Sequence, residues 1–189
     1  MVIKEKALIR RMKEAYKDYG YTVAVRDGKI YLTNGYWLAE IDADNVPAEI
    51  MGMFGEHIRD IPKDGDAYRI TKAKDGPIVQ KRLIEEALVA AHTMYAKFEE
   101  ALEDSVPDEM QKTNLTYDGN TVWQSKTNKD VFLIDPRYAA MISGAKEVLK
   151  VGDGIFAHGE VSKVWILRIN NKQDKTYLAH LEKISWVTE

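Results

Sequence analysis

Hydrophobic residues recur with two different periods in the N-terminal third of the chain. Over residues 3–19 they return every three or four positions, which predicts a helix closed by the glycine that follows. Over residues 21–42 they alternate with polar residues, and Asp27-Gly28 and Asn34-Gly35 stand where two-residue hairpin turns need positive φ. A three-stranded meander is therefore expected, followed by a second helix over residues 47–59. The buried face of the first helix is expected to contain Leu8, Met12, Ala15, Tyr16 and Tyr19.

The middle of the chain contains a connector and the longest predicted helix. Residues 60–78 include several prolines and glycines, which indicates a connector with one short strand near residues 67–71. Residues 79–104 follow a heptad pattern, and further apolar residues widen its face beyond that of a simple coiled coil. That breadth favours packing of the helix against a sheet, and self-association through the 79–104 helix is the alternative. The heptad positions are Ile84, Leu88, Ala91, Tyr95, Phe98 and Leu102.

The last third of the chain repeats the order of helix and strands. Gly119-Asn120 is a further hairpin signal, between strands at residues 115–118 and 121–126. Asp135-Pro136 opens a helix over residues 136–147, because Asp is a good N-cap and Pro suits the first turn. The remaining strands are predicted at residues 131–134, 148–151, 155–158, 161–169 and 177–184.

These elements predict an α+β fold of two helix-plus-antiparallel-meander units joined by a long central helix. The first unit covers residues 1–60, the connector and long helix cover residues 61–110, and the second unit covers residues 111–189. A chain of 189 residues can bury a substantial core, so we predict that these parts form one compact domain.

Composition excludes several classes of function. The chain has 27 basic and 30 acidic residues and a net charge of −3, which excludes a strongly basic nucleic-acid protein but not a local basic face. It has no cysteine, which removes disulfide scaffolds, thiolate zinc sites and cysteine nucleophiles. Neither a signal-peptide pattern nor an apolar run of roughly 20 residues is present, so a cytoplasmic protein without a membrane partner is expected.

The sequence carries no recognisable catalytic, metal or cofactor motif. Its four histidines lack the i, i+4 spacing of a metal-binding helix, and no phosphate loop or serine nucleophile elbow occurs. We therefore predict a non-enzymatic protein with no cofactor, no metal and no catalytic residues. The least favoured alternative is a small-molecule enzyme built around His158 and His180, which lie on neighbouring predicted strands.

One charge pattern distinguishes the first predicted helix. Four basic residues are separated by four, three and four positions, which at the helical period forms one stripe opposite the apolar face. No acidic residue lies within the stripe, and such a stripe can follow a phosphate backbone. It can equally be the solvated face of an amphipathic helix. The residues of this basic stripe, which are the candidate DNA-binding residues, are Lys6, Arg10, Lys13 and Lys17.

Aromatic residues in the first predicted meander form a second candidate surface. Tyr31, Tyr36 and Trp37 lie close together in the sequence. Aromatic side chains on a sheet can stack on bases, line a pocket or contact a protein partner. They can also form cross-strand pairs in the core, which is the more common arrangement.

Two segments resemble those of a known family. Residues 29–38, Lys-Ile-Tyr-Leu-Thr-Asn-Gly-Tyr-Trp-Leu, are similar to the meander of sliding-clamp subunits, the DNA polymerase processivity factors. Residues 131–142, Val-Phe-Leu-Ile-Asp-Pro-Arg-Tyr-Ala-Ala-Met-Ile, resemble the strand-to-helix opening of a clamp half-domain. The chain also resembles small proteins of phages and prophages of Gram-positive bacteria. The resemblance implies a clamp-like ring that surrounds or docks on DNA, with helices toward the duplex and strands outside.

The favoured function is therefore that of an accessory or scaffolding protein, phage-derived, which self-associates and docks on duplex DNA through the basic stripe. The alternative is a protein-binding module, such as an immunity or anti-defence protein, that uses the surface near Tyr36 and Trp37. A complete clamp subunit is longer than this chain, and the acidic 79–104 helix does not suit a DNA-facing position. Only a reduced, two-unit clamp is compatible with the sequence.

Overall fold

The computed structural model describes residues 2–103, 108–169 and 179–183 as a mixture of helices and antiparallel strands. This confirms the α+β class expected from the sequence. None of the helices in these ranges is long and apolar enough to cross a membrane. The helices are α1 (Glu5–Lys17), α2 (Ala48–Ile58), α3 (Ile84–Glu103) and α4 (Pro136–Ala139). The strands are β1 (Tyr21–Arg26), β2 (Lys29–Thr33), β3 (Trp37–Asp42), β4 (Ala67–Ala73), β5 (Gly76–Lys81), β6 (Met110–Tyr117), β7 (Asn120–Ser125), β8 (Val131–Ile134), β9 (Leu149–Val151), β10 (Gly154–His158) and β11 (Ser162–Leu167).

Eight strands from both halves of the chain form one antiparallel sheet. Their order is β5-β4-β1-β2-β3-β11-β10-β9, so the two meanders meet where β3 pairs with β11. In that pairing Ala39 lies opposite Val164, and Leu38 lies opposite Trp165. The two predicted meanders are therefore parts of one continuous sheet.

Each face of this sheet is covered by different helices. On one face α1 and α2 bury Leu8, Met12 and Phe54 against the alternating apolar residues of the strands. On the other face α3 packs through Leu88 and Met94 in the same cluster as Phe156 of β10. Successive side chains of a strand point to opposite faces of the sheet, so one sheet can contribute apolar residues to a core on each face.

The heptad face of α3 packs against the large sheet. Leu88 and Ala91 are buried, and Ile84, Tyr95 and Phe98 pack against the same cluster on the sheet. The side chain of Leu102 lies outside the described residues. The favoured expectation, packing of this helix against a sheet, is confirmed, and because the sheet covers the heptad face, that face is not available for self-association.

The second sheet has three strands in the order β6-β7-β8 and continues from the β9 edge of the large sheet. The amide of Met110 donates to the carbonyl of Val148 at 2.7 Å, and the amide of Lys150 donates to the carbonyl of Asp108 at 2.8 Å. Trp123 of this sheet belongs to the same core as α1. The chain then leaves β8 and enters α4, which lies directly against α1.

Three predicted boundaries are wrong. Residues 79–81 belong to β5, because the backbone at Gly76, with a φ of 129°, completes a hairpin with β4. The helix predicted over residues 136–147 ends at Ala139 and continues only as a 3₁₀ turn, Ala140–Ile142. In the strand predicted at residues 177–184, residues 179–183 form a helical turn and the remainder lies outside the described residues.

The loop between β2 and β3 also differs from the expected two-residue hairpin. Gly35 has a φ of 94°, but Asn34 lacks the positive φ that a type I′ turn needs, and β3 begins at Trp37. Oγ1 of Thr33 accepts a hydrogen bond from the Gly35 amide, and Oδ1 of Asn34 accepts one from the Tyr36 amide, each at 3.0 Å. These hydrogen bonds stabilise a longer loop, which places Tyr36 outside the sheet.

The end of α1 is fixed by a close approach of the backbone to β4. Gly20 has a φ of 83°, and a Cβ atom added there would lie 2.3 Å from the carbonyl oxygen of Ile70. Its amide donates to the Ala15 carbonyl at 2.6 Å and so caps the helix. Tyr19, expected on the buried face of α1, is 77% exposed because the helix ends at Lys17.

A buried histidine joins α2 to α1 and β1. The ring of His57 stacks on Tyr16 with centroids 4.2 Å apart, and its Nδ1 lies 3.0 Å from the hydroxyl of Tyr21. Burial lowers the pKa of His57 and raises that of Tyr21. The neutral imidazole is therefore the form that the folded protein favours.

We expect the free energy of unfolding to fall as the pH drops through about 6.5, the ordinary histidine pKa, because the unfolded chain then binds a proton that folded His57 resists. Urea denaturation of the wild type and of His57→Gln between neutral and mildly acidic pH measures this slope. His92→Gln, at an exposed position, is the matched control for replacing a histidine. A His57→Gln variant that keeps the wild-type slope would contradict the assignment.

Two glycine-to-alanine substitutions should change stability in opposite directions. Gly20→Ala should destabilise the fold by roughly 2–4 kcal/mol, because the new methyl group meets the Ile70 carbonyl in a left-handed backbone conformation. Gly55→Ala should stabilise it by about 0.5–1 kcal/mol, because Gly55 is an exposed position of α2 with no atom within 4 Å of the new methyl group. Urea unfolding followed by circular dichroism gives both values, and equal stabilities would contradict the geometry at Gly20.

Candidate functional site

A groove of about 460 Å³ lies between α1 and α4. Lys4, the residue before α1, holds the start of that helix beside the turn after α4, because its amide donates to the Met141 carbonyl at 2.7 Å. Four of the side chains that line it are cationic, and they come from both helices. We call it the basic groove, and it is lined by Lys6, Ala7, Arg10, Arg11, Pro136, Arg137 and Ala140.

Asp135 fixes Arg137 at the groove. The Oδ1 atom of Asp135 accepts a hydrogen bond from the Arg137 amide at 2.8 Å and thereby caps the N-terminus of α4. The same carboxylate accepts from the Arg137 side chain, at 3.0 Å from Nε and 2.6 Å from Nη2. Burial alone would raise the pKa of Asp135, but the hydrogen bonds from Arg137 outweigh it and the pKa is lowered. An ionised carboxylate therefore holds the guanidinium in one orientation.

A buried arginine forms the floor of the groove. Arg11 is 4% exposed, and its Nη2 donates to Oε1 of Glu14 at 2.7 Å. Burial lowers the pKa of Arg11, against the opposing effect of Glu14. The guanidinium nevertheless remains charged, since arginine does not lose its proton in proteins. Glu14 also lies 3.3 Å from Nε of Arg10 and 3.9 Å from Nη1 of Arg137, so one carboxylate serves three cations.

The structure divides the basic stripe predicted from the sequence. All four of its side chains are exposed on the solvent face of α1, but only Lys6 and Arg10 line the groove. Lys13 forms an ion pair with Glu49 of α2 at 2.6 Å, and Lys17 lies one turn beyond it. The sequence missed Arg11 and Arg137: Arg11 belongs to the buried side of the helix, and Arg137 is far away in the chain. The Asp-Pro-Arg helix start was the only sequence signal for Arg137, and it did not indicate that α4 lies beside α1.

A smaller pocket of about 290 Å³ adjoins the groove and shares Arg11 and Arg137 with it. We call it the tyrosine pocket, because three tyrosines line it. The rings of Tyr36 and Tyr138 are nearly parallel, with centroids 6.5 Å apart and an interplanar angle of 14°. The guanidinium carbon of Arg137 lies 5.9 Å from the centroid of Tyr138. The pocket is lined by Arg11, Glu14, Ala15, Asp18, Tyr19, Asn34, Tyr36, Asp135, Arg137, Tyr138 and Ile169.

The three candidate aromatic residues do not form one surface. Tyr36 is 56% exposed in the β2–β3 loop. Trp37 is buried in the core under α1 and α2, so its ring has no face for a partner and its candidate role is corrected. Tyr31 points to the opposite face of the sheet, where it is partly buried in the cluster under α3. Burial and the nearby Glu40 raise the pKa of Tyr31 to about 12.

The remaining candidate chemistry is dispersed. His158 lies 3.5 Å from Glu147 and stacks on Phe156, whereas His180 belongs to the helical turn at residues 179–181 instead of a strand. Within the described ranges, no group of three or more His, Asp or Glu side chains could hold a metal ion.

A third cleft of about 650 Å³, between the small sheet and α4, has an apolar floor that includes Met110 and Trp123. Of the lysines at its rim, Lys126 is paired with Glu109 at 2.7 Å.

No protein-family model matches this chain, and no curated protein matches it. Among solved structures, it is similar to the crystal structure of a protein assigned as a DNA polymerase III beta subunit from Eubacterium rectale, with a TM-score of 0.33 and 12% sequence identity. The match covers 89% of this chain and 64% of that chain, so this chain spans less than two thirds of its neighbour's length. Values this low establish neither a family nor a shared fold.

The shared carboxylate of Glu14 should be important for stability. Glu14→Gln is expected to lower the free energy of unfolding by about 1–3 kcal/mol, because the buried Arg11 guanidinium would lose its charged partner. The matched control is Glu49→Gln, which removes an exposed partner of Lys13 and should cost less than about 0.5 kcal/mol. Chemical denaturation of both variants tests this, and a loss at Glu49 as large as that at Glu14 would contradict it.

Proposed function

We propose that this chain is a non-enzymatic accessory protein of the cytoplasm that docks on duplex DNA through the basic groove and the neighbouring lysines of the basic stripe. The observation that carries this proposal is the convergence of Lys6, Arg10, Arg11 and Arg137 on one groove. Cations from two elements that are distant in sequence meet there, although the chain as a whole has a net charge of −3. If the basic stripe were only the solvated face of α1, it would not explain why Arg137 of α4 lines the same groove.

The dimensions of α1 suit a phosphate backbone. At 1.5 Å of rise per residue, the basic stripe from Lys6 to Lys17 extends over roughly 16 Å of helix. One DNA strand places a phosphate about every 3.4 Å along the duplex axis, so several phosphates lie within that length. Arginine adds a planar, bidentate donor for phosphate oxygens, which a lysine does not provide.

The ion pairs of Lys13 and Arg10 leave these two cations able to contact DNA. The Lys13–Glu49 pair is about half exposed on both sides, and an exposed pair of this kind contributes about 1 kcal/mol or less. Arg10 is 78% exposed beside Glu14, so only part of its guanidinium is engaged. Phosphates can therefore replace or add to these contacts at small cost.

The resemblance of residues 29–38 and 131–142 to sliding-clamp segments supports an accessory role at DNA over other roles that involve a phosphate-bearing partner. The resemblance of the chain as a whole to phage and prophage proteins supports a phage origin. Self-association into a ring would have to use a surface other than the heptad face of α3, since the large sheet covers that face. The second candidate function is a protein-binding module of the immunity or anti-defence type. The exposure of Tyr19 and Tyr36 favours it, and recovery of a stable protein partner with no DNA affinity would support it.

Duplex binding should depend on the groove cations and on salt. If each of the four cations of the basic stripe contacts one phosphate, a plot of log K against log salt should have a slope of about −3.6. Replacing two of them in the double variant Lys6→Glu/Arg10→Glu should weaken binding at least about tenfold and reduce the slope by about 1.8. Fluorescence anisotropy with a labelled blunt duplex, starting at low salt, measures both quantities.

The matched control is Lys63→Glu/Lys74→Glu, which changes the net charge equally at exposed positions that line neither the groove nor the tyrosine pocket. It should retain most of the wild-type affinity. Absence of duplex binding by the wild type would refute the proposed function. An equal loss in both double variants would show that net charge, and not the groove, governs binding.

A further inference from the structure

We propose that the tyrosine pocket binds an unpaired nucleobase, so that the preferred ligand is duplex DNA with an adjoining single-stranded segment. This inference rests on the proposed function, because the phosphates of the same DNA would occupy the basic groove. It assigns a ligand to the one candidate aromatic residue, Tyr36, that the fold leaves exposed beside the groove.

The first argument is the arrangement of the rings. Tyr36 and Tyr138 present nearly parallel rings, with an interplanar angle of 14°, and more than half of the Tyr36 side chain is exposed. A planar base can stack on such a surface without a specific sequence, since every base has a π face. The guanidinium of Arg137, 5.9 Å from the Tyr138 centroid, adds a second planar group at the same site.

The second argument is the rigidity of this arrangement. Two side-chain hydrogen bonds in the β2–β3 loop fix the backbone of Tyr36, and the Leu167 amide donates to its carbonyl at 3.0 Å. Tyr138 and Arg137 belong to α4, which Asp135 caps. The stacking surface is therefore formed before a ligand arrives, which reduces the entropy lost on binding.

The third argument is the division of charge between the two cavities. The basic groove contains four cations, whereas the tyrosine pocket contains the carboxylates of Glu14, Asp18 and Asp135 beside Arg11 and Arg137. Phosphates are attracted to the groove and disfavoured in the pocket. Carboxylates suit a neutral base instead, because they accept hydrogen bonds from its amino and imino groups.

The fourth argument is size and continuity. A volume of about 290 Å³ lies at the lower end of small-ligand pockets, which suits one base and not an oligonucleotide. Because Arg11 and Arg137 line both cavities, a strand whose phosphates lie in the groove can place the next base in the pocket.

The test compares a blunt duplex with the same duplex carrying a short single-stranded overhang that contains 2-aminopurine. Wild-type protein should bind the overhang substrate about tenfold more tightly, which corresponds to stacking of one base, and should quench the 2-aminopurine fluorescence. Tyr36→Ala should abolish both the preference and the quenching and leave the blunt-duplex affinity unchanged. Tyr36→Phe, which keeps the ring, should retain both, and Lys6→Glu/Arg10→Glu should weaken binding of both substrates.

The possible failures are distinguishable. If the wild type binds both substrates equally, or if Tyr36→Ala keeps the overhang preference, the pocket inference is wrong and the proposed docking on duplex DNA stands. If the wild type binds neither substrate, the proposed function and the pocket inference are both wrong. Circular dichroism of each variant establishes that it is folded, and the exposure of Tyr36 makes its replacement compatible with folding.

Discussion

The pairing of β3 with β11 is the contact on which the rest of the structure depends. It aligns Leu38 with Trp165 and Ala39 with Val164, across more than half of the chain length, and turns two meanders into one eight-stranded sheet. Once the sheet is continuous, one face can bury α1 and α2 and the other can bury α3. The chain enters α4 from β8 of the small sheet and packs there against α1, which completes the candidate site beside the large sheet.

Buried charge at this pairing specifies its register. Glu40 of β3 is 3% exposed and lies 2.9 Å from Lys29 of β2 and 3.2 Å from Lys163 of β11. Nζ of Lys163 also donates to the hydroxyl of Tyr95 on α3 at 3.0 Å. A shift of β11 by one residue would separate Lys163 from the buried carboxylate and leave Lys29 as its cationic partner, which costs free energy because the charge is buried. The contacts therefore favour one alignment of the sheet and one position of α3.

The candidate site follows a similar logic of shared charge. Asp135 orients Arg137, and Glu14 lies among Arg10, Arg11 and Arg137, so cations that would repel one another are held in one groove. The carboxylates lie on the side of the tyrosine pocket, and the cations that they do not fully neutralise face the groove. This separation distinguishes a cavity lined by cations from a neighbouring cavity of mixed charge that is lined by tyrosines.

Local signals in the sequence determined the α+β class, the first helix, the turn at Asp27-Gly28 and the exposure of Lys6 and Arg10, because helical period and turn chemistry act over a few residues. They failed at the start of α3, the end of α4 and residues 179–183, where contacts from other parts of the chain decide the backbone. The burial of Trp37 and the presence of Arg11 and Arg137 in the groove were decided by tertiary structure alone. Trp37 is buried where β3 pairs with β11, and Arg11 meets Arg137 where α4 packs on α1. Contacts between segments so far apart in the chain leave no period in the sequence by which to recognise them.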